Sequence, residues 1–305
     1  MVHTTHAAAK STIVRLFQAP WPVRLAFRTL ERLAPSLGAR WAEGIWMTLP
    51  RSADRQRAGH PGGERFVTPY AGTGLGQRLP SWSGGEIVGE VWGQAGPTIY
   101  VVHGWAGHRG QFAGFVAPLL ARGYRVVAFD MPSHGDSAPG VFGPRSTSFP
   151  EFADALCAVV ARFGPPYAVV AHSAGAIATA TAIVDGMRPD RLVLLVPMVG
   201  GISPLREFGA VMGFGERTLS RMTERLERRV GAPLRHFEVP ELGRAVRMPP
   251  TLVLHDRDDR STPVSDGAAI AAAWPGARLR VTTGLGHNKI LRSPAVIAEV
   301  VDFLT

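Results

Sequence analysis

The sequence predicts an α/β protein: a mostly parallel central sheet with helices on both faces and a small helical cap inserted into its connectivity. Three observations carry this reading. From about Arg78 onward, short apolar runs alternate with longer amphipathic ones, as strands and crossover helices do. Runs such as Tyr100-Val101-Val102 and Ala168-Val169-Val170-Ala171 are apolar on both faces, as strands covered on each side must be. Between Val199 and Pro249 the alternation stops and no strand can be drawn.

Taken in order, residues from Met1 to about Pro61 read as helices broken at Pro20, Pro22, Pro35 and Pro50, and Arg51 to Gly63 is polar and loop-like. This is an N-terminal helical extension, 1–63, ahead of a main domain over 64–305. In it, Arg24, Arg28 and Arg32 alternate with Leu25, Phe27, Leu30 and Leu33, a pattern that suits a helix packing its apolar side on the main domain or one lying on a membrane surface. Strands are predicted at Glu86 to Trp92, Thr98 to His103, Arg125 to Asp130, Tyr167 to His172, Arg191 to Pro197, Thr251 to His255 and Arg278 to Thr283. Helices fall near Gln111 to Ala121, Phe149 to Phe163, Ala174 to Gly186, Pro263 to Ala273 and Pro294 to Phe303. In the strandless interval, Leu219, Met222, Leu226 and Val230 are spaced for one face of a charged helix over Arg217 to Val230, which makes about 199–249 the cap.

Composition narrows the function classes. The 305 residues, 46% hydrophobic, suffice for one sizeable core. No apolar stretch is long enough to span a bilayer, and the first residues lack a charged start, apolar run and small-residue cleavage site, so a soluble, cytoplasmic protein without stable membrane insertion is expected. The net charge of +9 comes from scattered arginines, with Lys10 and Lys289 the only lysines. No basic run tracks phosphates, no nucleic-acid partner is expected, and the positive field would serve solubility or attraction of acidic substrates. Cys157, the only cysteine, lies in the apolar stretch Phe152 to Val160 and reads as a structural thiol. Gly72-Thr73-Gly74-Leu75-Gly76 follows no predicted strand and lacks a dinucleotide-binding spacing. His103, His134, His172 and His255 sit at strand ends, but no pair has the His-Glu-x-x-His arrangement, so no metal is expected.

The residues that carry chemistry lie elsewhere. In Val169-Val170-Ala171-His172-Ser173-Ala174-Gly175 an apolar strand runs into a serine between small residues and then into an Ala-rich helix. This matches the strand, tight turn and helix of a nucleophile elbow, with Ala171 at the first glycine of Gly-x-Ser-x-Gly. A serine hydroxyl is a poor nucleophile until an imidazole takes its proton. Gly284-Leu285-Gly286-His287 supplies one after the last predicted strand, and that histidine needs a carboxylate to fix its tautomer. Asp256, Asp258 and Asp259 compete for the role in the loop after Leu252-Val253-Leu254-His255.

These motifs together resemble the α/β-hydrolase superfamily. Tyr100-Val101-Val102-His103-Gly104-Trp105 is similar to its His-Gly-x turn, and Phe129-Asp130-Met131-Pro132-Ser133-His134-Gly135-Asp136-Ser137 to its Asp-x-Pro-x-His-Gly-x-Ser loop. The resemblance covers the chain from about Arg78 onward and leaves out the N-terminal extension and the cap. It implies the α/β-hydrolase fold, places the acid at Asp259 with Asp258 in reserve, and assigns Asp256 to a structural role. It also implies the order Ser173, Asp259, His287 for the triad and an oxyanion hole from the backbone amides of Trp105 and Ala174. The expected activity is hydrolysis of a small acyl substrate, an ester first and then a thioester, lactone or amide, through an acyl-enzyme and without a cofactor. Serine at the elbow argues against the dehalogenase and epoxide hydrolase branches, which carry aspartate there. Trp105, Phe112, Phe115, Phe208, Met212 and Phe214 are candidates for an apolar acyl pocket. Two alternatives stay open: an acyltransferase using the same triad, and a non-catalytic ligand-binding protein on the hydrolase scaffold. The sequence leaves the oligomeric state open.

Overall fold

The computed structural model describes residues 19–50, 62–71 and 84–305. Lys10, the glycine-rich stretch at 72–76 and most of the polar segment expected over 51–63 lie outside them. The elements follow in the order α1 (Trp21–Leu33), α2 (Pro35–Met47), β1 (Glu64–Tyr70), β2 (Gly85–Trp92), β3 (Thr98–Val102), α3 (Ala113–Ala121), β4 (Arg125–Phe129), α4 (Phe149–Phe163), β5 (Ala168–His172), α5 (Gly175–Val184) and β6 (Arg191–Leu195). Then come α6 (Ser203–Met212), α7 (Glu216–Val230), α8 (Val239–Ala245), β7 (Thr251–Asp256), α9 (Val264–Ala273), β8 (Ala277–Thr282), the single turn α10 (Gly286–Lys289) and α11 (Pro294–Leu304).

The eight strands form one sheet in the order β1-β2-β4-β3-β5-β6-β7-β8. β1 and β2 run antiparallel to their neighbours, and every pairing from β4 to β8 is parallel. Alternation along the strands feeds two cores: Tyr100 and Val102 of β3 face one with Phe152 and Ile177, while Ile99 and Val101 face the other with Phe115 and Val300. All seven predicted strands are present. β1 was not predicted; its inward residues Phe66, Thr68 and Tyr70 do alternate, but Pro69 argues against a strand interior. Proline is tolerated there because β1 lies at the sheet's edge.

No strand occurs between Val199 and Pro249; α6, α7 and α8 occupy that interval. α1 and α2 pack on the same helices. Pro22 and Pro35 lie in the first turns of α1 and α2, where a missing N–H costs nothing, so these prolines begin helices rather than merely interrupt them. Phe27 is fully buried, stacked on Trp41 at 4.4 Å and tilted against Phe214 at 5.3 Å, in a third core with Phe208, Met212, Leu219 and Met222. Leu25 and Leu33 stay exposed. Glu43 of α2, only 2% exposed, is paired with Arg225 at 2.5 Å and Arg229 at 2.6 Å, both on α7. Glu31 of α1 accepts the Arg217 and Thr218 amides in the first turn of α7. Beyond α2, the Leu49 amide donates to the Arg145 carbonyl at 2.8 Å. Among the described residues no helix is long and apolar enough to cross a membrane.

Candidate active site

Ser173 stands between the end of β5 and the start of α5, with a backbone φ of +53°, a region that non-glycine residues rarely occupy. The turn is enforced by close packing. A Cβ on Gly175 would lie 2.6 Å from the Val102 carbonyl oxygen, and one on Gly104 would lie 2.7 Å from the Ser173 Cβ, so only glycine lets the helix start and the β3 turn approach. Ala171, at the other small position, fits fully buried in β5.

His287 lies in α10, at the C-terminal side of β8, and reaches Ser173 with its Nε2 at 3.0 Å from Oγ. Its Nδ1 is 2.7 Å from Oδ2 of Asp259, in the loop after β7. An ionised carboxylate only accepts hydrogen bonds, so Nδ1 carries the proton and Nε2 is left to accept from the serine hydroxyl. Asp259 is held on its other side, where Oδ1 accepts the Ser261 amide at 2.6 Å and the Thr262 amide at 3.1 Å. Burial works to raise its pKa, but the His287 hydrogen bond and charge and these two amides prevail and keep it below the ordinary value.

The other two aspartates point elsewhere. Asp258 accepts the exposed Gly284 amide at 2.9 Å. Asp256 accepts the Thr282 hydroxyl and the amides of Asp258, Leu285 and Gly286, tying the His287 loop to the ends of β7 and β8. Burial opposes its ionisation, yet those donors hold its pKa below the usual range. His172 adds a second tie, its Nε2 donating to the His287 carbonyl at 2.9 Å. Burial depresses the pKa of His172, and likewise of His103 and His134. His103 accepts the Met131 amide at 2.9 Å, and His134 accepts the Ala106 amide at 3.0 Å. His255 hydrogen-bonds the Thr262 carbonyl at 3.0 Å. Among the described residues no group of three or more His, Cys, Asp and Glu side chains could hold a metal ion.

Arg109, 5% exposed, fixes the loop over Asp130 to Ser137 through ion pairs with Asp130, Asp136 and Glu90. Trp105 and Ala174 flank Ser173 on the β3 and α5 sides, and neither amide donates to a protein acceptor among the described residues. Cys157 lies away from the site, its thiol pushed up to about 11 by burial and by Asp154 and Asp185, so it is a poor nucleophile.

Ser173 and His287 open into a cavity of about 620 Å³, the size of a small-molecule site. Its apolar lining differs from the expectation. Trp105 lines it, whereas Phe112, Phe208 and Met212 do not. Phe112 is buried with Phe115 in the core beneath α3, and Phe208 and Met212, with Phe214, are buried against α1 and α2. Their apolar character reflects helix packing, which a sequence does not distinguish from a pocket wall. The walls are formed instead by Trp46, Phe149, Met198 and Val199, with Glu207 and Asp266 adding carboxyls. Burial, Glu207 and Asp259 together push Asp266 up to about 7. Phe149 and Met198 follow recognisable elements and were within reach of the sequence; nothing in the sequence marks Trp46.

The model of a family described as the alpha/beta hydrolase family matches residues 99–300. A serine hydrolase-like protein of Danio rerio is 38% identical over 96 residues, 30% of this chain and 28% of that protein, so the chain spans just over a quarter of that relative. A 2-hydroxy-6-oxononadienedioate/2-hydroxy-6-oxononatrienedioate hydrolase of Pseudomonas putida is 27% identical over 238 residues, 64% of this chain and 82% of that one. Among solved structures, an esterase from Rhodococcus sp. ECU1013 superposes with a TM-score of 0.56 at 19% identity, covering 78% of this chain and 98% of its own.

Proposed function

The chain belongs to the alpha/beta hydrolase family, and from that premise we propose that it is a serine hydrolase cleaving a carboxylic ester or related acyl bond. The observation that carries the proposal is the hydrogen-bonded row Ser173, His287, Asp259 at a cavity of small-molecule size. Ser173 Oγ attacks the substrate carbonyl while its proton passes to His287 Nε2, and Asp259 stabilises the imidazolium through Nδ1–H. The oxyanion is received by the Trp105 amide, after β3, and the Ala174 amide at the start of α5, where the helix dipole also favours negative charge. The intermediate collapses, His287 returns the proton to the leaving oxygen, and the acyl-enzyme remains. Water then attacks the acyl carbonyl, giving its proton to His287, and the second tetrahedral intermediate releases the acid and restores the Ser173 hydroxyl. The likeness to the P. putida hydrolase supports a small organic substrate.

Labelling with a fluorophosphonate, read by intact mass, tests the reading. A single adduct on the wild type that is absent from Ser173→Ala and strongly slowed in His287→Ala is expected. An unlabelled wild type that is folded by circular dichroism would overturn it.

A further inference from the structure

Behind the main cavity lies a second, smaller one of about 60 Å³, lined almost wholly by apolar groups. Three aromatic side chains, Trp46, Trp105 and Phe149, line both cavities and therefore form the partition between them. Trp105 packs with Phe149 at a ring distance of 6.3 Å, and Trp46 is tilted against Phe208 at 5.2 Å. Beyond the partition the chamber is lined by Leu205 of α6, Leu226 and Val230 of α7, and Leu234. Trp46 belongs to α2, outside the segment that matches the family. It is held in place by the ion pairs of Glu43 to Arg225 and Arg229 and by the core that α1 and α2 share with α6 and α7.

We propose that the chamber behind the Trp46, Trp105 and Phe149 partition is a subsite for the distal end of an acyl chain, and that Trp46 sets the chain length the enzyme accepts. The proposal rests on the serine hydrolase reading and extends it to a substrate class: esters or thioesters of unbranched aliphatic acids whose chains run from Ser173 past Trp105. Trp105 follows Gly104, whose backbone packs against Ser173, and lines the main cavity together with Ser173, which puts the partition within reach of a chain attached there. The chamber offers such a chain a largely apolar end, and of the helices that wall it α7 lies within the segment matching the family whereas α2 lies outside it. The helices before residue 50 thus act as part of the binding site.

The test is kcat/KM for p-nitrophenyl esters from acetate to decanoate in the wild type, Trp46→Ala, Trp46→Phe and Val230→Phe, with Ser173→Ala as blank. Each methylene that gains burial is worth about fourfold in kcat/KM, from about 0.8 kcal/mol per CH₂. Trp46→Ala is expected to move the preferred chain longer by about two carbons and to raise the octanoate to butyrate ratio by about 16-fold. Val230→Phe fills the chamber from the opposite wall and is expected to move the preference shorter, while Trp46→Phe stays within about threefold of the wild-type ratio. A wild type that turns over esters through Ser173 but shows the same chain-length profile in all four active forms overturns the subsite. Turnover equal to that of Ser173→Ala overturns the hydrolase reading instead. If Trp46→Ala unfolds, Val230→Phe still decides, since it predicts a shift in the opposite direction.

Discussion

Replacing Asp259 by asparagine is the most searching substitution in the site. The change is nearly isosteric, and the surrounding donors dictate how the new amide must sit. One carboxylate oxygen receives the Ser261 and Thr262 amides, the other the His287 Nδ1–H. In the variant the amide oxygen stays with the two backbone donors, because turning it would set Nδ2–H₂ against two N–H groups. Nδ2 then faces His287 and donates to Nδ1, which forces the imidazole proton onto Nε2. In that tautomer Nε2 no longer accepts from Ser173, and the stabilising negative charge is lost as well. A fall in kcat of about 10⁴, equivalent to about 5.5 kcal/mol, is expected with KM little changed. Asp258→Asn touches only the exposed Gly284 contact and should cost less than about threefold. Steady-state kinetics on one ester, with thermal melts to establish folding, provides the assay. A folded Asp259→Asn within tenfold of wild type, or an Asp258→Asn as impaired as Asp259→Asn, would refute the reasoning.

Two further perturbations act on stability. Glu43→Ala leaves Arg225 and Arg229 without their shared buried partner; since both guanidinium groups still reach solvent, a loss of about 1–3 kcal/mol is expected, read as a lower urea midpoint. An unchanged midpoint would show that α2 docks through its apolar contacts alone. Asp266 is pushed up to about 7 in the fold, against an ordinary carboxyl in the unfolded chain, so the stability it contributes is greatest at low pH and is lost as pH rises from about 4 toward and past 7. Asp266→Asn removes that dependence, and its Tm relative to wild type should rise between pH 5 and pH 8; a constant difference would contradict the shift.

Much of this architecture was legible in the sequence because the strands of a covered parallel sheet are short, apolar and separated by helices of recognisable period. Ser173 and His287 stood out as candidates because each follows a strand beside small or glycine residues, whereas Asp259 was separated from Asp256 and Asp258 only by the family resemblance. β1 was hidden by Pro69, whose cost is avoided only at a sheet edge. The pocket was the least legible part. Phe112, Phe208 and Met212 have the same apolar character as true lining residues, and whether such a side chain faces a cavity or a neighbouring helix depends on packing between elements far apart in the chain. Trp46 shows the same limit from the other side: it reaches the cavity only because α2 docks on α7.

That docking has a consequence for biosynthesis. Phe27 and Glu43 find their partners in Phe214, Arg225 and Arg229, roughly 185 residues further along the chain. At ribosomal rates of about 5–20 residues per second, α1 and α2 emerge roughly 10–40 seconds before the helix that covers them. During that interval their apolar faces have no intramolecular home. These early helices are thus among the last to be shielded, and variants that weaken their closing contacts should be seen first in the yield of soluble chain during synthesis, before any loss of activity in the folded protein.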